Sequence, residues 1–196
     1  MKKIMFNDRY GLTEAVLEGR KTMTRRVFRA PIMDLNDINR ALRDSENATA
    51  NKLAIIKKYA QYQIGEVLAV AQRYDKLRWP ALPGIDWKTI TDEVTHSKGW
   101  SNKMYVKAEY MPHRIRITDI KMERLQDISD DDCLREGVER WMDCYIVAGI
   151  MERGGKSNKC FDTPRDAFFN LITKICGYKT WNDNPWVFAY EFELVQ

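Results

Sequence analysis

The strongest constraint on how this chain folds is a period of two, written twice. Between 114 and 125 the cations Arg114, Arg116 and Lys121 stand against Ile115, Ile117 and Ile120. Between 187 and 195, Phe188, Tyr190, Phe192 and Leu194 stand against Val187, Ala189, Glu191, Glu193 and Val195. Successive side chains of a strand point to opposite faces, so each run is a strand with one apolar face that a core has to cover. The cations on the outer face of the first run suit either a polyanion-binding surface or an ordinary solvated one. Shorter apolar runs place further strands at 4–6, 67–74 and 104–110, the last divided from Arg114 by Pro112 and His113.

Helices are marked by their punctuation. Leu12, Ala15, Val16 and Leu17 lie at helical spacing ahead of Gly19, which reads as a short helix over 13–18 stopped by a glycine. Ser129 with Asp132 resembles a capping box, Asp130 to Asp132 suit the positive end of the helix dipole, and Gly137 ends the element. Glu136 falls in the last turn, where a carboxylate opposes that dipole. Its charge is either a frayed exposed end or is placed for a partner elsewhere, such as Lys21. Thr163 as cap, Pro164 at the first helical position and Asp166 reaching back start another helix, whose Phe168, Leu171, Ile172 and Ile175 form an apolar core stripe up to Gly177.

Three stretches interrupt this pattern. Residues 30–62 turn to Asp, Asn, Arg and Lys, with Leu35, Ile38, Leu42, Leu53, Ile55 and Ile56 at irregular helical spacing, an inserted helical excursion broken near 45–50. Residues 75–102 carry Pro80, Pro83, Gly84 and Gly99 with Trp79, Trp87 and Trp100, a long loop whose tryptophans either pin it to the body or stack on a base. Residues 141–160, with Gly149, Gly154 and Gly155, keep no steady period. Short strands, few helices and these insertions indicate an α+β fold: a single domain over 1–196 built on a small mixed β-barrel with peripheral helices, and insertions at about 30–60, 75–100 and 141–160.

The chain's 196 residues suffice for one core, and a net charge of +4 favours an anionic partner without a basic tail. No apolar run approaches the roughly 20 residues that span a bilayer, and the N-terminus lacks a signal-peptide stretch, so a cytoplasmic protein with no membrane partner is expected. Cys133, Cys144, Cys160 and Cys176 form no close pair and only His96 and His113 accompany them, so free thiols are expected, with no metal and no cofactor.

The chemistry concentrates in Gly19 to Arg26, Gly-Arg-Lys-Thr-Met-Thr-Arg-Arg, where Arg20, Lys21, Arg25 and Arg26 surround Thr22 and Thr24. In a continuous strand Lys21 and Thr24 would face opposite ways, so a shared ligand requires a bend, which Gly19 could allow. Thr24 could attack an acyl carbon with Lys21 as base, provided that Lys21 is neutral. That requires lowering its pKa by roughly three units, about 4 kcal/mol. Desolvation and the charges of Arg20, Arg25 and Arg26 push that way, and Glu136 pushes back unless it holds the proton itself and serves as the acid toward the leaving amine. In a binding-only reading, Lys21 and Arg26 hold a phosphate or base edge, Thr24 makes one hydrogen bond, and Glu136 orients the lysine or reads an exocyclic amine.

The octet is similar to the G-x-K-x-x-T-x-R signature of the ASCH family, matched by Gly19, Lys21, Thr24 and Arg26. Leu125-Gln-Asp-Ile-Ser, Glu136-Gly-Val, the helix over 165–177 and Trp181 through Asn184-Pro-Trp-Val also resemble ASCH proteins of phages and prophages, over most of the chain outside 30–60, 75–100 and 141–160. The resemblance implies a PUA-like barrel that binds RNA or a nucleotide in the cleft beside the signature, with Gly19, Arg20, Lys21, Thr22, Thr24, Arg25, Arg26 and Glu136 as ligand-binding residues. One branch of the family hydrolyses the acetyl amide of 4-acetylcytidine, which implies Lys21, Thr24 and Glu136 as a catalytic group. The expected function is RNA or nucleotide binding; the alternative is an amidohydrolase acting on a modified nucleoside such as 4-acetylcytidine, or another RNA-directed hydrolase. A partner-binding role is a third possibility.

Overall fold

A computed structural model of the protein describes residues 1–29, 38–42, 47–77, 92–152 and 154–195. In chain order these form β1 (Lys3–Ile4), α1 (Leu12–Leu17), β2 (Met23–Val27), α2 (Ala48–Tyr59), β3 (Val67–Val70) and β4 (Arg114–Arg124). There follow α3 (Asp130–Arg135), β5 (Glu139–Trp141), β6 (Cys144–Ile146), α4 (Pro164–Cys176), α5 (Tyr178–Asp183) and β7 (Trp186–Val195). Five strands make one mixed sheet in the order β1-β3-β4-β7-β2, parallel only between β1 and β3, and β5 with β6 makes a separate hairpin.

The long antiparallel pair β4–β7 is the spine, and it contains the one irregularity that its alternation needed. Ile117 to Ile120 is a step of three, which by itself would turn Ile120 to the wrong face. A bulge lies between Ile117 and Asp119, so Ile115 and Ile117 pair with Leu194 and Phe192 while Ile120 and Met122 pair with Tyr190 and Phe188 on the same side. These side chains, apart from the half-exposed Leu194, are buried in one core with Val16 of α1 and Phe168 and Leu171 of α4. Each contributes about 1.5–3 kcal/mol of burial. Near its start β7 is covered on both faces, with Val187 and Ala189 buried as fully as Tyr190.

Helix boundaries follow their caps. Ser129 Oγ accepts from Asp132 N at 3.2 Å, and Thr163 Oγ1 accepts from Asp166 N at 3.1 Å with Pro164 opening α4. Along the expected α4 stripe Phe168 and Leu171 are core, but Ile175 is exposed near the helix end.

Elsewhere the structure corrects the expectations. Residues 104–110 are not a strand: Lys103–Tyr105 and Ala108–Tyr110 are 3-10 turns, with Asn102 capping Met104 N at 2.9 Å and Lys3 Nζ holding the carbonyls of Met104 and Val106 at 2.6 and 2.7 Å. β3 ends at Val70, and Tyr74 lies in a 3-10 turn, although burial continues through Ala71 and Tyr74. β1 starts one residue early and stops at Ile4. In the inserted excursion α2 already begins at Ala48, inside the expected break; Leu35 and Ser45 lie outside the described residues, as do Trp79, Pro80, Pro83, Gly84 and Trp87 of the long loop. Cys144 and Cys160, expected as free thiols, form a disulfide; the bridge between Tyr145 and Phe161 sets their Cα atoms 5.6 Å apart, within disulfide reach, while Cys133 and Cys176 are free.

The barrel expectation resolves to a coarser statement: the fold is α+β with a five-stranded mixed sheet, and among the described residues no ladder joins its edges β1 and β2. The sheet nevertheless curls, since Arg26 Nη2 on β2 donates to the carbonyl of Met5, just past β1, at 2.7 Å. Among the described residues no helix is long and apolar enough to cross a membrane.

Candidate functional site

Where α1 hands over to β2, the chain is held by other elements rather than by a ladder. Gly19 has φ +73°, a left-handed conformation that L side chains resist. Lys21 N then donates to Ala15 O at 2.8 Å and Thr22 N to Arg135 O at 3.0 Å, while Thr22 O accepts the first bond from β7, Phe192 N, at 2.9 Å. This is a bend between Lys21 and Thr24.

The bend sends Lys21 inward to meet α3. Lys21 Nζ donates to Glu136 Oε2 at 2.6 Å and to the Glu136 carbonyl at 2.7 Å, and the two side chains are only 1% and 6% exposed. Glu136 is the cap residue at the C-terminal end of α3, where both its carbonyl and its carboxylate are available to one ammonium. Gly137 follows with φ +104°, a left-handed conformation, and a Cβ there would press on Leu12 Cδ2 at 2.9 Å. The ring of Phe6 lies 5.8 Å from the ammonium.

Arg25 closes the other side. Its Nη1 donates to Glu136 Oε1 at 3.2 Å, its Nη2 to Asp132 Oδ2 at 2.7 Å and its Nε to Glu123 Oε1 at 2.8 Å, with the side chain 1% exposed. Arg135 continues the network: Nη2 donates to Glu191 Oε2 at 2.8 Å and Nε to Thr22 Oγ1 at 3.2 Å, while Lys121 donates to Glu191 Oε1 at 2.5 Å. Lys21, Arg25, Arg135 and Lys121 thus answer Glu136, Asp132, Glu123 and Glu191, cation for acid. Of the three outward cations on β4, Arg116 pairs with Glu193 and Lys121 with Glu191, which neutralises that part of the face, while Arg114 has no acid partner among the described residues.

The electrostatics follow from burial. Desolvation drives the Lys21 pKa below its ordinary value; the charge and hydrogen bond of Glu136 oppose this, and the charges of Arg26 and Arg25 add to the lowering. The hydrogen bond from Arg135, reinforced by Lys121, takes Glu191 down to about 2. Cys133, beside this network, is pushed up to about 12 chiefly by burial, so it is no nucleophile at neutral pH.

The candidate residues of the octet therefore divide. Lys21, Arg25 and Glu136 are in direct contact. Thr24 is buried and pairs with Tyr190, and Arg26 pairs with Phe188, so both lie on the core-side face of β2, opposite Arg25. No hydrogen bond among the described residues joins Thr24 to Lys21 or Glu136, and its hydroxyl has no partner there. Arg20 is at the surface, paired with Glu18 at 2.6 Å and Glu139 at 2.8 Å. Gly19 acts through its backbone, and Thr22 is engaged by Arg135. Sequence reasoning missed Asp132, Glu123, Arg135 and Glu191 as members of the network. Asp132 was read as the capping-box partner of Ser129 and a first-turn acid, and nothing along the chain announces contacts across 98 to 111 positions.

Among the described residues no group of His, Cys, Asp and Glu could hold a metal ion. No family model and no curated protein matches the chain. Among solved structures, protein EF3133 from Enterococcus faecalis V583, of family DUF984, is similar with a TM-score of 0.42 and 11% identity, covering 100% of this chain and 77% of that one. A likeness so remote assigns neither fold nor activity.

Proposed function

We propose that the protein is a nucleoside- or RNA-directed amidohydrolase of the 4-acetylcytidine type, on the PUA-like frame that the ASCH resemblance implies, with Lys21, Thr24 and Glu136 as its catalytic group. The observation that carries this reading is the Lys21–Glu136 contact: an ammonium buried against a carboxylate at 2.6 Å, its pKa lowered by desolvation. Transfer of one proton across that contact turns an ion pair into a neutral amine and a carboxylic acid, a base and an acid made in one step without changing the net charge. In the buried setting, loss of both charges removes the desolvation cost that each carries.

The reaction divides into two halves. Thr24 Oγ bonds to the acyl carbon as its proton passes to neutral Lys21, giving a tetrahedral oxyanion. Its collapse breaks the C–N bond, and the leaving amine takes a proton from the Glu136–Lys21 pair. Water then attacks the Thr24 ester as neutral Lys21 takes one of its protons, the C–O bond to Thr24 breaks as that proton returns to Thr24 Oγ, and the acetic acid released ionises to acetate. Arg26, facing the same side of β2 as Thr24 and close enough for its charge to lower Lys21, is the cation available to the oxyanion or to a phosphate. Arg25 serves by fixing Glu136.

Binding without turnover is the second reading, and Arg26 favours it, since it bonds the Met5 carbonyl and no acid among the described residues. Against it, holding a phosphate with Lys21 or Arg25 would break buried ion pairs. Acetate release from 4-acetylcytidine, lost in both Lys21→Ala and Thr24→Ala, is the expected result for the hydrolase. No turnover on a panel of acylated nucleosides and RNAs, with RNA affinity that falls with salt and with Arg26→Ala, would replace it by the binder.

A further inference from the structure

Phe6, just past β1, is 4% exposed and turns its ring to the Lys21 site. The Lys21 ammonium lies over that ring, 5.8 Å from its centroid, inside the roughly 6 Å at which the negative face of an aromatic ring attracts a cation. The ring of Phe192 packs against it at 5.6 Å between centroids, and Phe192 N bonds Thr22 O, so β7 wedges the ring beside the octet. Nothing in the proposed reaction uses it.

Its main chain is held as firmly. Lys103 Nζ donates to the Phe6 carbonyl, to Asp8 Oδ1 at 2.6 Å and to Thr13 Oγ1 at 3.2 Å, and Thr13 Oγ1 donates to the same Asp8 oxygen at 2.5 Å. The Lys103 side chain is only 16% exposed. A largely buried ammonium that reaches across 97 positions to a main-chain carbonyl fixes the backbone from which the Phe6 ring projects.

The ring acts on one charge state only. Its quadrupole attracts an ammonium and has no comparable hold on a neutral amine. The charged groups around Lys21 are Glu136 from the end of α3 and Arg25 and Arg26 from β2, while α1 meets it through the Ala15 carbonyl. Desolvation and both arginines drive the proton off, and Glu136 alone among the charges keeps it on. That carboxylate is shared, because its Oε1 also accepts from Arg25 at 3.2 Å. We infer that Phe6 is a positioning residue for the proposed reaction: its ring face holds the Lys21 ammonium, so that the Lys21–Glu136 pair keeps its one proton to higher pH than Glu136 alone secures, and Lys103 anchors the ring. The consequence for turnover rests on the proposed function; the hold on Lys21 does not.

The test replaces Phe6 in the intact chain by 4-fluoro-, 3,5-difluoro- and pentafluorophenylalanine, which keep the ring's shape while draining negative charge from its face. The Lys21 ammonium is titrated by NMR, its resonance identified by its loss in Lys21→Arg. The titration midpoint should fall stepwise along the series, by about one pH unit for the pentafluoro ring. In acetate release from 4-acetylcytidine the alkaline fall should move down with it, while the level rate below that fall is not reduced; a ring that merely fills space would change neither. Lys103→Met should lower the midpoint in the same direction by less. Unchanged thermal melting along the series verifies the fold. A midpoint that ignores fluorination overturns the inference, and one that ignores Lys103→Met overturns the anchoring. A midpoint that falls in a protein releasing no acetate keeps the hold on Lys21 and overturns the hydrolase.

Discussion

The residue that decides most is Lys21, because a buried ammonium is costly to keep and costly to disturb. Lys21→Met leaves the Glu136 carboxylate buried with only Arg25 facing it, and the expected loss in urea denaturation is about 3 kcal/mol. The double variant Lys21→Met with Glu136→Leu removes both charges and should recover most of that loss, which a double-mutant cycle reads directly. The pH dependence has a definite sign. Since the folded-state pKa of Lys21 lies below its ordinary value of 10.5, the unfolded chain holds the proton longer. This group's contribution to stability therefore rises with pH between the lowered value and 10.5. Because the active pair holds one proton, acetate release should be level below the lowered Lys21 pKa and fall as pH rises through it, and Lys21→Arg, which cannot shed its proton, should be inactive at every pH.

At the scale of elements, the connections that matter are those that no local pattern encodes. Glu191 links β7 to α3 through Arg135 and to β4 through Lys121. Its folded pKa of about 2 lies below the ordinary 4.5, so its stabilisation is full above 4.5 and is lost as pH falls from there to about 2. Glu191→Gln should flatten the acid limb of a melting-temperature profile in that window. In the 139–161 segment the Cys144–Cys160 disulfide closes a loop of 16 positions, for which loop entropy alone is worth about 3 kcal/mol. Alkylation under denaturing, non-reducing conditions should label Cys133 and Cys176 only; labelling of all four cysteines would contradict the pairing.

The same scale shows what could be read from the chain alone. The spine strands, α1, α3 and α4 were legible because period-two alternation, Ser and Thr caps, Pro164 and Gly137 are local signals. Residues 104–110 misled because Val106 and Ala108 are buried at the spacing of a strand, while Asn102 and Lys3 impose turns from outside that window. The disulfide was illegible because it depends on the segments around Tyr145 and Phe161 lying side by side. In the site, Lys21 and Glu136 could be singled out as a signature lysine and an acid ill-suited to its helix end. Asp132, Glu123 and Glu191 could not, since each is ordinary in its own element and meaningful only through Arg25 or Arg135.

For the molecule as a whole, the sheet curls until its edge strands are within a side chain's reach, and the turn from α1 into β2 falls where α3 also arrives. That convergence sets the buried Lys21–Glu136 ion pair beside a strand whose other face carries Thr24 and Arg26. The most direct test of this account is to quench the wild-type protein early in its reaction with 4-acetylcytidine and examine the peptide spanning Thr24 by mass spectrometry. The account predicts one added acetyl group on Thr24, absent in Lys21→Met, together with acetate in solution. Acetate released with Thr24 never modified, or no acetate at all, would contradict it.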